Sequence, residues 1–101
     1  MKDITKQMIE NGLNQNIIKP VLDDDGELIC KIGDNWFYLD GTGLENTDPS
    51  EIPFDIFVNG ILFVLNDFRN LNYYEDEYLR NWDCYEDEYL YYYYYLTESI
   101  H

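Results

Sequence analysis

The sequence contains no alanine, three prolines, two cysteines, one histidine and only six lysines and arginines. Each scarcity removes a class of explanation. Lysine and arginine neutralise phosphates and release their counterions, so six of them against 21 Asp and Glu argue against nucleic acid as a direct ligand. A net charge of −15 would be repelled by an anionic membrane in the same way. Cys30 and Cys84 form neither a CxxC pair nor a disulfide framework, which fits a reducing cytosol. No apolar run approaches the ~18 residues of a membrane span. The opening MKDITKQMIENG is also too poor in apolar residues for a signal peptide. A cytoplasmic protein is expected.

The same scarcity bears on catalysis. His101 is the last residue, and the serines are Ser50, in a helix-start pattern, and Ser99, beside the end of the chain. A nucleophilic constellation built from such frayed pieces would lack the rigidity that catalysis needs. No glycine-rich phosphate loop or dinucleotide fingerprint is present. The sequence therefore predicts no catalytic residue, no enzyme activity and no cofactor. Absent alanine, with abundant Asn, Ile, Tyr, Asp and Leu, matches AT-rich codons and points to an AT-rich bacterium, phage or mobile element.

What is present suits a folded chain. Apolar residues make up 46% of 101, enough for one domain over 1–101 with a modest core. Asp3 reads as the cap of a short helix that Gly12 stops. Ile17–Leu22, Glu27–Ile32 and Trp36–Leu39 read as strands, joined by turns at Asp23–Gly26 and Gly33–Asn35. Asp48-Pro49-Ser50-Glu51 is a helix start, with Pro53 dividing a first turn from the helix proper. From Phe54 two periods compete. Phe57, Val58, Ile61 and Leu65 follow helical spacing, whereas Asn59-Gly60 would suit a hairpin. The capping residues, and continuation through Arg69, favour the helix. Leu71, Tyr78, Trp82, Tyr85, Tyr89, Tyr92 and Leu96 then mark one face of a long helix over about 75–98. The predicted class is α+β: short N-terminal helix, three-stranded antiparallel meander, central apolar helix, long acidic Tyr-rich C-terminal helix.

The most unusual feature is a duplication. YEDEYL occupies Tyr74–Leu79 and recurs at Tyr85–Leu90. A separation of 11 residues is almost three helical turns, so on one helix both copies would face the same way, ~16 Å apart. Acids on an outer helix face need no purpose beyond solubility. Same-face repetition beside tyrosines, which are enriched at binding surfaces, argues for more. The candidate partner-binding residues are Glu75, Asp76, Glu77, Tyr78, Asp83, Glu86, Asp87, Glu88 and Tyr89. Tyr78 and Tyr89 also belong to the inward stripe. The partner expected is a basic protein: a nuclease, restriction enzyme, CRISPR effector or repressor, occluded by an inhibitor or DNA mimic. The alternative is a structural homodimer packed through the tyrosines. Asp23–Glu27 resembles a calcium loop only in composition. With Gly26 at the sixth position of an EF-hand, Val21 and Ile32 would occupy the two mandatory ligand positions, so no metal is expected.

Overall fold

The structure is a computed structural model that describes the backbone of residues 3–74 and 84–99, and side chains over 3–67 and 88–98. In chain order it comprises α1 (Lys6–Asn14), β1 (Ile18–Leu22), β2 (Leu28–Ile32), β3 (Asn35–Tyr38), a 3-10 turn (Pro49–Glu51), α2 (Phe54–Tyr74) and α3 (Cys84–Ser99). This is the α+β order that the sequence predicts.

Thr5, rather than Asp3, caps the first helix. Its hydroxyl accepts from the Met8 amide at 3.2 Å, and its own amide donates to the Met8 sulfur at 3.4 Å. That is a capping box with a thioether in place of the usual Glu or Gln. Gly12 does not stop the helix, which continues to Asn14 and turns at Asn16, φ 61°. Asparagine tolerates that left-handed region because its short polar side chain bonds locally. Gly12 instead permits a close crossing: a Cβ there would lie 2.8 Å from Ile18 Cδ1 and 3.1 Å from Leu96 Cδ2.

The strands form an antiparallel sheet in the order β1-β2-β3. β1 pairs from Ile18↔Ile32 to Leu22↔Leu28, and β3 pairs from Ile29↔Tyr38 to Ile32↔Asn35. The first turn is held by Asp23, whose Oδ1 accepts from the amides of Asp25 and Glu27, both at 2.9 Å. Pleating sends Ile18, Leu28, Cys30, Ile32 and Phe37 into the core. Burial pushes the Cys30 thiol up to about 12, which leaves it inert as a nucleophile. The opposite face carries Lys19, Lys31 and Trp36 in one cross-strand row, and Val21, Ile29 and Tyr38 in the next.

The contested segment is helical. The 3-10 turn begins at Asp48, whose Oδ1 accepts from the Ser50 amide at 2.9 Å, and Pro53 separates it from α2. α2 runs unbroken through Asn59-Gly60 because helical spacing buries Phe57, Val58, Ile61, Val64 and Leu65 together. Gly60 costs helix stability, but Leu44 Cδ1 lies 3.0 Å from where its Cβ would be. α3 buries Tyr89, Tyr92 and Leu96 along one stripe. The Tyr92 and Phe37 rings lie 5.3 Å apart, and the three helices pack on one another. Among the described residues no helix is long and apolar enough to cross a membrane. The expected start of the C-terminal helix, at 75–83, lies outside the described residues.

Candidate acidic binding surface

The sheet gathers several acids at one of its ends. The amide of Leu28 donates to the Glu45 carbonyl at 2.6 Å, and that of Leu39 to the Leu28 carbonyl at 3.4 Å. The Asp23–Glu27 turn and the loop that follows Leu39 therefore share one end of the sheet. Tyr38, at the end of β3, feels the negative charge of Asp23, Glu27 and Asp25. Partial desolvation first, and then these charges, raise the Tyr38 pKa above its ordinary value.

α3 packs on β3 and the turn before it. Tyr95 and Tyr91 meet Gly33, the Asp34 amide donates to the Tyr91 hydroxyl at 3.2 Å, and Tyr92 reaches Phe37 and the Trp36 carbonyl. Tyr91, Tyr92 and Tyr95 of α3 thus lie over β3 and the turn before it.

The predicted site residues fare differently. Glu75, Asp76, Glu77, Tyr78 and Asp83 lie outside the described residues, and with them the alignment of the two YEDEYL copies. Tyr74, the first residue of the first copy, ends α2, whereas the second copy lies in α3. Glu86 and Asp87 lie within α3, and their side chains are outside the description. Glu88 is half-buried. Tyr89 is 2% exposed, and its hydroxyl accepts from the Ile4 amide at 2.9 Å. That is a core position, and it corrects the assignment of Tyr89 as a partner anchor: the aromatic stripe that predicted the helix is the stripe that is buried.

No protein-family model, curated protein or solved structure matches this chain. Its reading rests on its own chemistry.

No charged side chain is buried among the described residues. Across the chain, acids outnumber lysines and arginines by fifteen. The described residues hold no group of three or more His, Cys, Asp or Glu that could bind a metal. The Asp23 carboxylate is occupied instead as the brace of its own turn.

The loop before the 3-10 turn makes different use of acids. Glu45 Oε2 accepts from the Gly41 amide at 2.8 Å, and backbone amides hold this carboxyl below the ordinary range. The Ser50 hydroxyl and amide do the same for Asp48. Burial raises Glu88, the opposite shift. The signs predict a pH profile. A depressed carboxyl adds stability above its unfolded pKa of ~4, and that gain is lost as pH falls through the folded value. A raised carboxyl adds stability only below the unfolded value, and that gain is lost as pH rises to the folded one. The contributions of these three groups should therefore be greatest together near pH ~4, where the depressed carboxyls have gained theirs and Glu88 has not yet lost its own. Glu88→Gln should raise the melting temperature at neutral pH and lose that advantage below pH ~4. A thermal melt of both proteins at several pH values checks this; equal profiles would show Glu88 to be fully solvated.

Proposed function

We propose that this protein is a small acidic binding module that occludes the basic surface of a nucleic-acid-acting protein, a nuclease, restriction enzyme, CRISPR effector or repressor. One observation carries the reading: carboxylates outnumber lysines and arginines by fifteen, while none of the described ones is buried. Clustered like charge destabilises a compact chain. A cationic partner would relieve that repulsion. Acidic steering also speeds encounter and selects against anionic partners.

Magnitude favours dedicated occlusion over copying of duplex geometry. α3 has 16 residues, about 24 Å of axis, along which duplex DNA presents roughly fourteen charges. α3 supplies Glu86, Asp87, Glu88 and Glu98. A mimic would have to recruit the acids at the sheet end as well. The alternative of a tyrosine-packed homodimer draws less support. Tyr89 and Tyr92 are used inside, which leaves Tyr94 and Tyr95 as the exposed tyrosines of the described part of α3.

The test is capture of basic proteins from a bacterial lysate, eluted in steps of salt. Electrostatic partners should leave early in the series. Neutralising Glu86, Asp87 and Glu88 together as Gln, Asn and Gln should abolish capture, with the far-UV circular dichroism unchanged. Undiminished capture would overturn the site. A mimic should also compete with DNA for several unrelated basic proteins, whereas a dedicated inhibitor binds one.

A further inference from the structure

A groove of about 330 Å³ lies on the far side of α2 from its buried stripe, between Ile56, Asn59, Gly60 and Phe63 of the helix and Gly41, Thr42 and Leu44 of the preceding loop. Ile56 and Phe63 are 51% and 54% exposed, unusually open for such side chains, and they are two turns apart on one helix face. Solvent exposure of large apolar groups in one contiguous place is a mark of interaction. The groove is also built. Thr42 Oγ1 donates to the Leu39 carbonyl at 2.7 Å and accepts from the Leu44 amide at 3.1 Å, while Glu45 holds the Gly41 amide. Gly60 has no side chain to fill the floor, and Leu44 and Thr42 close over it. Little ordering entropy remains to be lost when something binds.

The charges around the groove select its occupant. Asp55 lies one helical turn before Asn59, Asp67 one turn beyond Phe63, and Asp40 next to Gly41; all three are exposed. Between Lys31 and Arg69 the chain has no lysine, arginine or histidine. The polar side chains that line the groove itself are Thr42 and Asn59, and Thr42 is already engaged. An apolar floor with an anionic rim, in a stretch free of cations from 32 to 68, complements a segment that is apolar on one face and basic on its flanks.

We propose that this groove seats a basic amphipathic helix of a partner protein, whose aliphatic anchors, spaced one to two turns apart, enter between Ile56, Phe63 and Leu44 while its lysines or arginines meet Asp40, Asp55 and Asp67. This is helix-in-groove recognition. It rests on the reading of the protein as a binder of basic partners, and adds the place and the chemistry of one contact.

The probe is a fluorescein-labelled helical peptide of about 18 residues, leucines along one face and lysines elsewhere, with a control in which every lysine is glutamate. Binding is read by fluorescence anisotropy at ~0.15 M salt. The lysine peptide should bind and the glutamate peptide should not. Phe63→Ser leaves the charge unchanged and replaces an exposed residue, yet should weaken binding about tenfold or more, as truncation of an interface anchor does. Ile56→Ser should repeat that loss from the other end of the groove. Asp55→Asn with Asp67→Asn should weaken binding and flatten its salt dependence. Equal affinity of the wild type and both serine variants, all with unchanged circular dichroism, would overturn the proposal. So would binding of the glutamate peptide, or a wild-type dimer in sedimentation that Phe63→Ser renders monomeric, since a second copy would then occupy the groove. The lysate assay separates the two readings. If the triple neutralisation of α3 abolishes capture while the peptide binds the wild type and both serine variants equally, the inhibitor reading stands and the groove falls. If the peptide needs Phe63 but neither the triple neutralisation nor Phe63→Ser alters capture, the groove stands and the inhibitor reading falls.

Discussion

Tyr92→Ala is expected to lower the free energy of unfolding by about 3–5 kcal/mol, the range for deleting a buried aromatic ring. Tyr92 is fully buried and heads the large side chains of the core. Its ring packs on Phe37 at 5.3 Å and on Tyr91 at 5.7 Å, and its hydroxyl donates to the Trp36 carbonyl at 3.5 Å. Burial and the nearby Glu88 charge raise its pKa well beyond the ordinary tyrosine value, so the group stays neutral and adds no pH dependence near neutrality. A chain of 101 residues has about 5–15 kcal/mol in total, so the loss would take a third of that stability or nearly all of it. Tyr92→Phe keeps the ring and should cost about 1 kcal/mol, the net worth of a hydrogen bond. Urea titration followed by far-UV circular dichroism measures both. A loss below about 1 kcal/mol for the alanine variant would mean that α3 does not depend on the sheet for its place.

The elements that could be read from sequence are those where period and punctuation agree. Leu28, Cys30 and Ile32 alternate with Ile29 and Lys31, and the pleat buries one set in the core as alternation requires. The spacing of Val58, Ile61 and Leu65 outweighed Asn59-Gly60 because a turn signal involves two residues and a helical stripe many. The errors came where a local rule has two causes. Gly12 resembles a helix stop, since glycine is favoured there, but its role as space for Ile18 and Leu96 shows only once the tertiary crossing is known. Asp3 has the chemistry of a cap, yet Thr5 takes the position because Met8 completes the box.

The site was less legible, and for a physical reason. Tyrosine is amphipathic, so a stripe of tyrosines is equally good as a core face and as a binding face. Tyr89 resolves as core through the Ile4 amide, a partner 85 positions away in the chain and invisible to any local pattern. The α2 groove was hidden in the opposite way. Ile56 and Phe63 read as part of an apolar helix, and only the loop at 41–44 reveals that they stay open. A useful signal was present in the charge order, because the stretch between Lys31 and Arg69 carries acids without a single cation.

Gly33→Ala should cost about 2–3 kcal/mol, from two sources that separate experimentally. Gly33 has φ 64°, a region where an L side chain costs about 1–2 kcal/mol. Its added Cβ would also meet the Tyr91 hydroxyl and lie 2.7 Å from Tyr95 Cε2. Relief would require both rings to move, and their centroids are 5.8 Å apart, so they shift together. Moving Tyr91 would break the bond its hydroxyl accepts from the Asp34 amide, worth about 0.5–1.5 kcal/mol. Gly26 supplies the control: φ is 81° and nothing lies within 4 Å of a Cβ there, so Gly26→Ala should show the backbone cost alone. Asparagine tolerates the left-handed region, so Gly33→Asn removes most of the backbone cost and keeps the clash. If the aromatic contact holds the β2–β3 turn against α3, Gly33→Asn remains destabilised and Gly33→Ala combined with Tyr91→Phe shows non-additive coupling in a double-mutant cycle. Equal losses for Gly33→Ala and Gly26→Ala, with strict additivity in the cycle, would leave the turn free of α3.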